Sequence, residues 1–143
     1  MRPWLRALEI GLISTAGLGL ACVFLPRTMQ GAWNLLFFGQ TGFGEAGPPA
    51  GFTPEAEAYV LFLYGVLGAV LTGFALALLA LTHGPLRQGQ RWAWNAVTLS
   101  IGVWFVLDVA FSLWSGFWPN AMLNLAFGAA LFLPLWKLRR FTQ

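Results

Sequence analysis

Asp108 is the residue whose type and position most clearly indicate chemistry, because it is an acid inside a long apolar run. Ser112 and Ser115 follow it at offsets of four and seven, which places them on the same face of a helix. Asn120 and Asn124 come just after the next turn and add two amides on the following helix. A carboxylate with amide and hydroxyl neighbours can bind a polar ligand group or carry a proton.

Asp108 needs a partner if its apolar run crosses a membrane, because an isolated Asp near the centre of a membrane helix costs about 2.5 kcal/mol or more. It lies seven residues before Ser115, the last residue of its apolar run, which is roughly 10 Å from that end of the run at the rise of an α-helix. Asn124 lies at a matching depth beyond the turn. We therefore predict that protonated Asp108 donates to the Asn124 side-chain carbonyl and accepts from its amide. Asn120 is expected one turn above, level with Ser112.

Three further residues are candidates for the same polar chamber. Trp104 lies one turn below Asp108, and its indole N–H requires an acceptor. Tyr64 lies about one turn inside the outer end of the second apolar run, and Glu57 lies at its outer boundary. The predicted ligand-binding or proton site consists of Asp108, Asn124, Asn120, Ser112, Trp104, Tyr64 and Glu57.

Three interpretations of these polar residues stay open. In the first, they are hydrogen-bonding groups that only hold the helix of Asp108 and the helix of the two asparagines together, and such bonds average well below about 2 kcal/mol. Alternatively they form a ligand or proton site, since ionisable residues inside a membrane usually mark function. The third interpretation is a contact with another subunit of a larger membrane complex.

The residue types of conventional enzymes are not brought together by this sequence. His83 is the only histidine and precedes Gly84, on the opposite side from Asp108, so a Ser–His–Asp relay is excluded in this topology. Cys22 is the only cysteine, and no cluster of His, Cys and acids can hold a metal. We expect no metal and no cofactor, and a non-enzymatic protein is favoured. Acid–base work by Asp108 with Glu57 on an apolar substrate is the remaining catalytic alternative.

The elements that must position these residues are predicted from composition and length. The chain is 58% hydrophobic and 9% charged, whereas soluble domains are about 25% charged. This excludes a soluble enzyme, a nucleic-acid-binding domain and a disordered chain. A spanning helix needs about 20 apolar residues, and four runs qualify, at about 5–26, 55–81, 92–115 and 119–138. We predict an all-α fold, a single transmembrane domain over residues 1–143 that forms an antiparallel four-helix bundle.

The few charges predict the orientation of that bundle. With a cytoplasmic amino terminus, seven of the eight basic residues lie inside: Arg2, Arg6, Arg87, Arg91, Lys137, Arg139 and Arg140. Arg27 alone lies outside, together with acids such as Glu45, and Glu9 is expected to pair with Arg6 at the inner boundary. By the positive-inside rule both termini are cytoplasmic. Compact size and short loops favour a bacterial inner membrane.

Residues 27–54 form the only long connection, on the outer side. Its first part contains Trp33, Phe37 and Phe38 and is too short to cross, so it is expected to lie in the interface or dip toward the bundle. The part from Gly39 to Gly51 is rich in Gly and Pro and is predicted to be irregular. The connection is either a surface loop or a cap that covers the outer end of the helix bundle. In the second case, those aromatic residues would anchor the cap.

Small residues recur at four-residue spacing on two runs and predict close helix packing. The two stripes are Gly11, Thr15 and Gly19 on the first run, and Gly65, Ala69 and Gly73 on the second. Packing of the two stripes against each other within one chain is favoured, and homodimerisation through either stripe is the alternative.

The combined pattern predicts an accessory subunit, or a module that binds a lipid or small molecule at the polar site. Its partners are expected to be membrane lipids and either further copies of itself or a larger membrane complex, with no nucleic acid. The alternatives are a proton-coupled carrier that uses Asp108, or an intramembrane enzyme that acts on a lipid-like substrate.

Overall fold

The structure, a computed structural model, describes residues 1–41 and 53–142, and every regular element in those ranges is helical. A π-helical turn, Thr82–Leu86, follows α3, and a 3-10 turn, Arg139–Phe141, follows α5. The predicted all-α class is confirmed. The helices are α1 (Arg2–Phe24), α2 (Pro26–Thr41), α3 (Pro54–Leu81), α4 (Arg91–Trp114) and α5 (Trp118–Leu138).

Four helical segments in the described ranges are long and apolar enough to cross a membrane. They are Arg2–Phe24, Pro54–Leu86, Arg91–Trp114 and Trp118–Phe141, and they begin one to three residues before the four predicted runs. Their outer faces carry large exposed apolar side chains, as lipid-facing helices require. Length and composition therefore indicate a membrane protein.

Helix α2 occupies the first part of the connection that was predicted as a long loop. Pro26 begins it at a position where its missing N–H costs nothing. Leu25, between α1 and α2, continues the helical hydrogen bonding on both sides. The Leu25 N–H donates to the Ala21 carbonyl at 2.8 Å, and the Met29 N–H donates to the Leu25 carbonyl at 3.0 Å. The prediction of irregular structure is wrong for 39–41, which are helical.

The remainder of that predicted loop, including Glu45 and Gly51, lies outside the described residues, as do the side chains of Phe37 and Phe38. Trp33 is half-buried on α2. A cap over the outer mouth of the bundle therefore stays a prediction.

The chain forms two compact units. The mid-chain unit, Thr15–Phe74, contains the second half of α1, α2 and most of α3. The terminal unit consists of Met1–Ser14 and Ala75–Gln143, and thus of the first turns of α1, the end of α3 and the pair α4 and α5.

In the mid-chain unit, α1 and α3 approach closely where both lack bulky side chains. A Cβ atom built on Gly19 would lie 2.7 Å from the Gly68 carbonyl oxygen, and one built on Gly68 would lie 2.7 Å from the Cys22 Cβ. Thr72 donates to the Gly68 carbonyl at 2.8 Å and to the Ala16 carbonyl at 3.5 Å. The two backbones are therefore in direct contact, as small residues permit.

The predicted stripe on α3 is wrong, because Gly68 and Thr72 form the contact with α1. Nothing lies within 4 Å of a Cβ built on Gly65 or Gly73. Helix α3 carries small residues at four-residue spacing on two faces, so the spacing alone does not decide which face packs. Gly11 also has another partner, since a Cβ there would lie 2.8 Å from Leu131 Cδ2 of α5 in the terminal unit.

The terminal unit has a compact apolar core. Its fully or almost fully buried side chains come from all of its segments: Leu5, Leu8, Leu12, Leu78, Leu86, Val97, Ile101, Leu131, Leu135 and Leu138. Pro85 cannot continue the α-helical hydrogen bonds of α3, and the chain turns through the π-helical segment instead. Gly89 then adopts φ 81°, and a Cβ there would lie 3.0 Å from the Phe141 carbonyl oxygen. The α3–α4 connection is thereby placed beside the end of α5.

Candidate functional site

The turn between α4 and α5 makes these helices a hairpin. Gly116 has φ 81°, the left-handed conformation that favours glycine. The Phe117 N–H donates to the Ser112 carbonyl at 2.8 Å, and the Gly116 N–H to the Leu113 carbonyl at 3.2 Å. This is the Schellman pattern of helix termination. Pro119 in the first turn of α5 then starts the second helix.

Three side chains near this turn form a hydrogen-bonded group, the polar cluster of Asp108, Ser112 and Asn120. The Asn120 Nδ2 donates to Asp108 Oδ1 at 2.9 Å and to Ser112 Oγ at 2.7 Å. Ser112 Oγ lies 2.6 Å from the Asp108 carbonyl oxygen and 3.2 Å from Oδ1. Ser112 is buried, and Asp108 and Asn120 are half-buried. Both hydrogens of one amide are therefore used on two acceptors of the facing helix.

Asn124 is not part of this cluster, although it was predicted to be the partner of Asp108. Its side chain is 5% exposed, and its Nδ2 has no hydrogen-bond partner among the described residues. The predicted bond from its amide to the carboxylate is wrong, and Asn120 makes that bond instead. Both asparagines lie on one face of α5, so the residue count from the turn missed the level: Asp108 bonds to the asparagine one helical turn closer to the turn.

Two hydrogen-bonding groups in this part of the hairpin have no partner among the described residues. Asp108 Oδ1 accepts hydrogen bonds from the Ser112 and Asn120 side chains, whereas Oδ2 accepts none from the described residues. Asn124 lies one turn below Asn120 on α5, at the four-residue spacing of one helix face. Ser115 satisfies its own hydroxyl by bonds within α4, to the carbonyls of Phe111 and Ser112. One acceptor oxygen and one buried amide thus have no hydrogen-bond partner in the described ranges.

Apolar side chains flank these polar groups in the sequence of α4. Val106, Leu107 and Phe111 are 62–64% exposed on α4. Deeper in the hairpin, the Phe105 ring fills the space over Gly128, where a Cβ would lie 2.7 Å from the ring. Phe105 also packs edge-on against Phe132, with ring centroids 5.7 Å apart. The polar groups therefore lie above tight aromatic packing and beside a lipid-compatible surface.

Trp104, Tyr64 and Glu57 are the remaining predicted site residues. Among the described residues, no contact within the terminal unit joins them to the polar cluster. Trp104 is half-buried on α4, and within the described ranges its indole N–H makes no hydrogen bond to Asp108. Tyr64 and Glu57 belong to the mid-chain unit and are half-buried on α3. Their grouping with Asp108 stays a prediction.

The chemistry of the assembled groups is hydrogen bonding. Within 1–41 and 53–142, no three His, Cys, Asp or Glu side chains are grouped to hold a metal. Comparison with known proteins finds no family model, curated protein or solved structure that matches this chain.

Proposed function

We propose that the protein is a small non-enzymatic membrane protein that binds a lipid-like molecule through the polar site of its α4–α5 hairpin. The binding groups are the Asn124 amide and the free carboxylate oxygen of Asp108, with Ser112 and Asn120 positioning the carboxylate. In this proposal the ligand supplies a hydrogen-bond acceptor to the amide and a donor to the carboxylate. A lipid hydroxyl, ester or amide carries those groups on an apolar body.

The observation that carries the proposal is the buried and unpaired amide of Asn124. A buried donor without an acceptor costs about 1–3 kcal/mol, and buried polar groups in proteins almost always have partners. Hydrogen bonds that only join the two helices account for Asp108, Ser112 and Asn120. They give no reason for a second asparagine one turn deeper, whereas a ligand does.

The proposed topology is an antiparallel bundle with four spans and both termini in the cytoplasm, in a bacterial inner membrane. It is supported by the seven basic residues of the terminal unit, several of which lie over aromatic rings. Lys137 Nζ is 4.6 Å from the Trp136 ring centroid, and the Arg91 and Arg139 guanidinium carbons are 5.5 and 5.9 Å from that of Trp94. Aromatic and basic side chains combined in this way are typical of the cytoplasmic membrane boundary.

The test is gentle extraction followed by intact mass spectrometry, which reports subunits and bound molecules together. We expect a lipid-like molecule bound to the wild type. The molecule should remain bound to the Ser115→Ala variant, because the Ser115 hydroxyl bonds only to carbonyl groups of its own helix. Asp108→Ala should lose most of it at unchanged oligomeric state. A wild type that carries no bound molecule, or equal occupancy in both variants, would contradict the proposal.

A proton-coupled carrier is the second candidate, favoured by the carboxylate oxygen of Asp108 that bonds to no side chain in the described ranges. Asp108→Asn keeps the shape of the side chain and removes its titrating proton. A carrier would lose proton-coupled flux in that variant. The binding module should keep a substantial share of its ligand, since an amide still donates and accepts hydrogen bonds.

A further inference from the structure

A second polar feature lies in the terminal unit, at the end where its helices begin and finish. Arg2, Arg6 and Arg87 line a cleft of about 270 Å³ together with Leu5 and Glu9. The three arginines are exposed, whereas Leu5 is only 5% exposed and forms an apolar wall. Arg2 and Arg6 come from the first turns of α1, and Arg87 from the connection between α3 and α4. Residues far apart in sequence are thus assembled around one opening.

The charges of this cleft are unbalanced. Glu9 was expected to pair with Arg6, but its Oε1 lies 3.5 Å from His83 Nε2. In the described part of the chain, no carboxylate comes within 4 Å of the Arg2, Arg6 or Arg87 guanidinium groups. Three permanent positive charges therefore face one carboxylate that is already engaged with an imidazole. Such a cleft is suited to an anion with several acceptor oxygens, because guanidinium groups bind phosphate through two parallel hydrogen bonds.

We propose that this cleft binds a phosphate group, carried by an anionic phospholipid or present as free phosphate. The basic groups lie where the first apolar helix begins and the second ends, which is the level of phospholipid headgroups in a bilayer. The apolar wall at Leu5 contacts the first part of an acyl chain if the phosphate belongs to a lipid. Glu9 accepts a hydrogen bond from a headgroup hydroxyl, as in phosphatidylglycerol. This inference does not depend on the Asp108 site.

The test compares two double variants that remove the same charge from the same unit. Arg6→Gln with Arg87→Gln alters the cleft. Arg91→Gln with Arg140→Gln is the control, since these arginines lie over aromatic rings and do not line the cleft. Delipidated protein is titrated with phosphatidylglycerol or phosphatidylcholine and followed by intact mass spectrometry. Inorganic phosphate is tested by its effect on the thermal unfolding midpoint, against chloride at equal ionic strength.

We expect phosphatidylglycerol to bind the wild type and the control, and to bind the cleft variant about thirtyfold more weakly. The variant lacks two basic groups near the headgroup, and together these are worth roughly 2 kcal/mol. Binding of this lipid identifies the lipid source. A midpoint rise with inorganic phosphate, lost only in the cleft variant, identifies free phosphate. Arg6→Lys with Arg87→Lys keeps the charge and should weaken binding less than the glutamine pair. The proposal is overturned if the wild type binds neither probe, or if the probe that it binds is lost equally in the cleft variant and the control.

Discussion

At the scale of single residues, Asn120 and Asn124 show that one residue type one helical turn apart can serve two purposes. Asn120 uses its amide hydrogens on Asp108 and Ser112. Asn124 is more deeply buried and its amide is unpaired in the described structure. We infer that the first asparagine stabilises the hairpin, and the proposed function assigns the second to a ligand.

This difference predicts opposite changes in stability when each asparagine is replaced by leucine. Asn120→Leu removes two hydrogen bonds to the facing helix, so the free energy of unfolding should fall by about 1–2 kcal/mol. Asn124→Leu removes a buried unpaired donor, so the free energy of unfolding of lipid-depleted protein should rise, by about 1 kcal/mol. The measurement is reversible unfolding in a detergent titration.

Asn124→Ala is the companion variant, because leucine is somewhat larger than asparagine and its added volume has a cost of its own. The explanation fails if both Asn124 variants destabilise the protein as strongly as Asn120→Leu. In that case Asn124 would have a structural partner that stabilises the folded chain.

The residues of the polar site could be found from the sequence, whereas their pairing could not. Asp108, Ser112 and Asn120 are recognisable because polar side chains are rare in apolar runs, and their levels follow from the rise of a helix. The choice between Asn120 and Asn124 depends on how far α5 is offset along α4, because the two asparagines lie on one face of α5. That offset is determined by packing, such as the Phe105 ring over Gly128.

At the scale of elements, the bounds of the long apolar helices were predicted well, because length and hydropathy determine them. The short helix α2 and the packing face of α3 were missed, because they depend on contacts with neighbouring helices. The four segments that are long and apolar enough to span a membrane begin within three residues of their predicted starts. Helix α2 was not predicted as a helix, because 16 residues with scattered polar side chains cannot cross a bilayer and resemble a loop by hydropathy alone. The packing face of α3 was also missed, because α3 carries small residues on two faces.

The contact between α1 and α3 predicts a contrast between two glycines of α3. Gly68→Ala adds a methyl group that meets Cys22 and the Gly19 carbonyl, so the helices must separate. Loss of about 1–3 kcal/mol in the free energy of unfolding is expected, as for other overpacked sites. Gly65→Ala meets nothing within 4 Å and should leave stability unchanged or slightly higher. Detergent unfolding measures both, and equal effects would show that this contact does not hold the helices together.

At the scale of the whole molecule, the sorting of charge predicts which side of the membrane each connection faces. Gln88 is exposed in the α3–α4 connection, and Thr53 is exposed just before α3. Cys22, the only natural cysteine, is buried and 8% exposed, so it gives little background labelling.

Gln88→Cys should therefore resist a membrane-impermeant maleimide added to intact cells and react once the cells are permeabilised. Thr53→Cys should react in intact cells. This result follows from the seven basic residues that the proposed topology places in the cytoplasm. Labelling of Gln88→Cys from outside would reverse the orientation.

The proposal that Asn124 binds a lipid-like ligand is tested most directly by intact mass spectrometry of wild type and Asn124→Leu, extracted from the same membranes. The wild type should carry a lipid-like molecule that the Arg6→Gln, Arg87→Gln cleft variant also retains. Asn124→Leu should lose most of that molecule while unfolding at higher denaturant once lipid is removed. A variant more stable than the wild type cannot lose its ligand through misfolding. If Asn124→Leu retains the molecule at the occupancy of the wild type, the unpaired amide does not bind it and the proposed function is wrong.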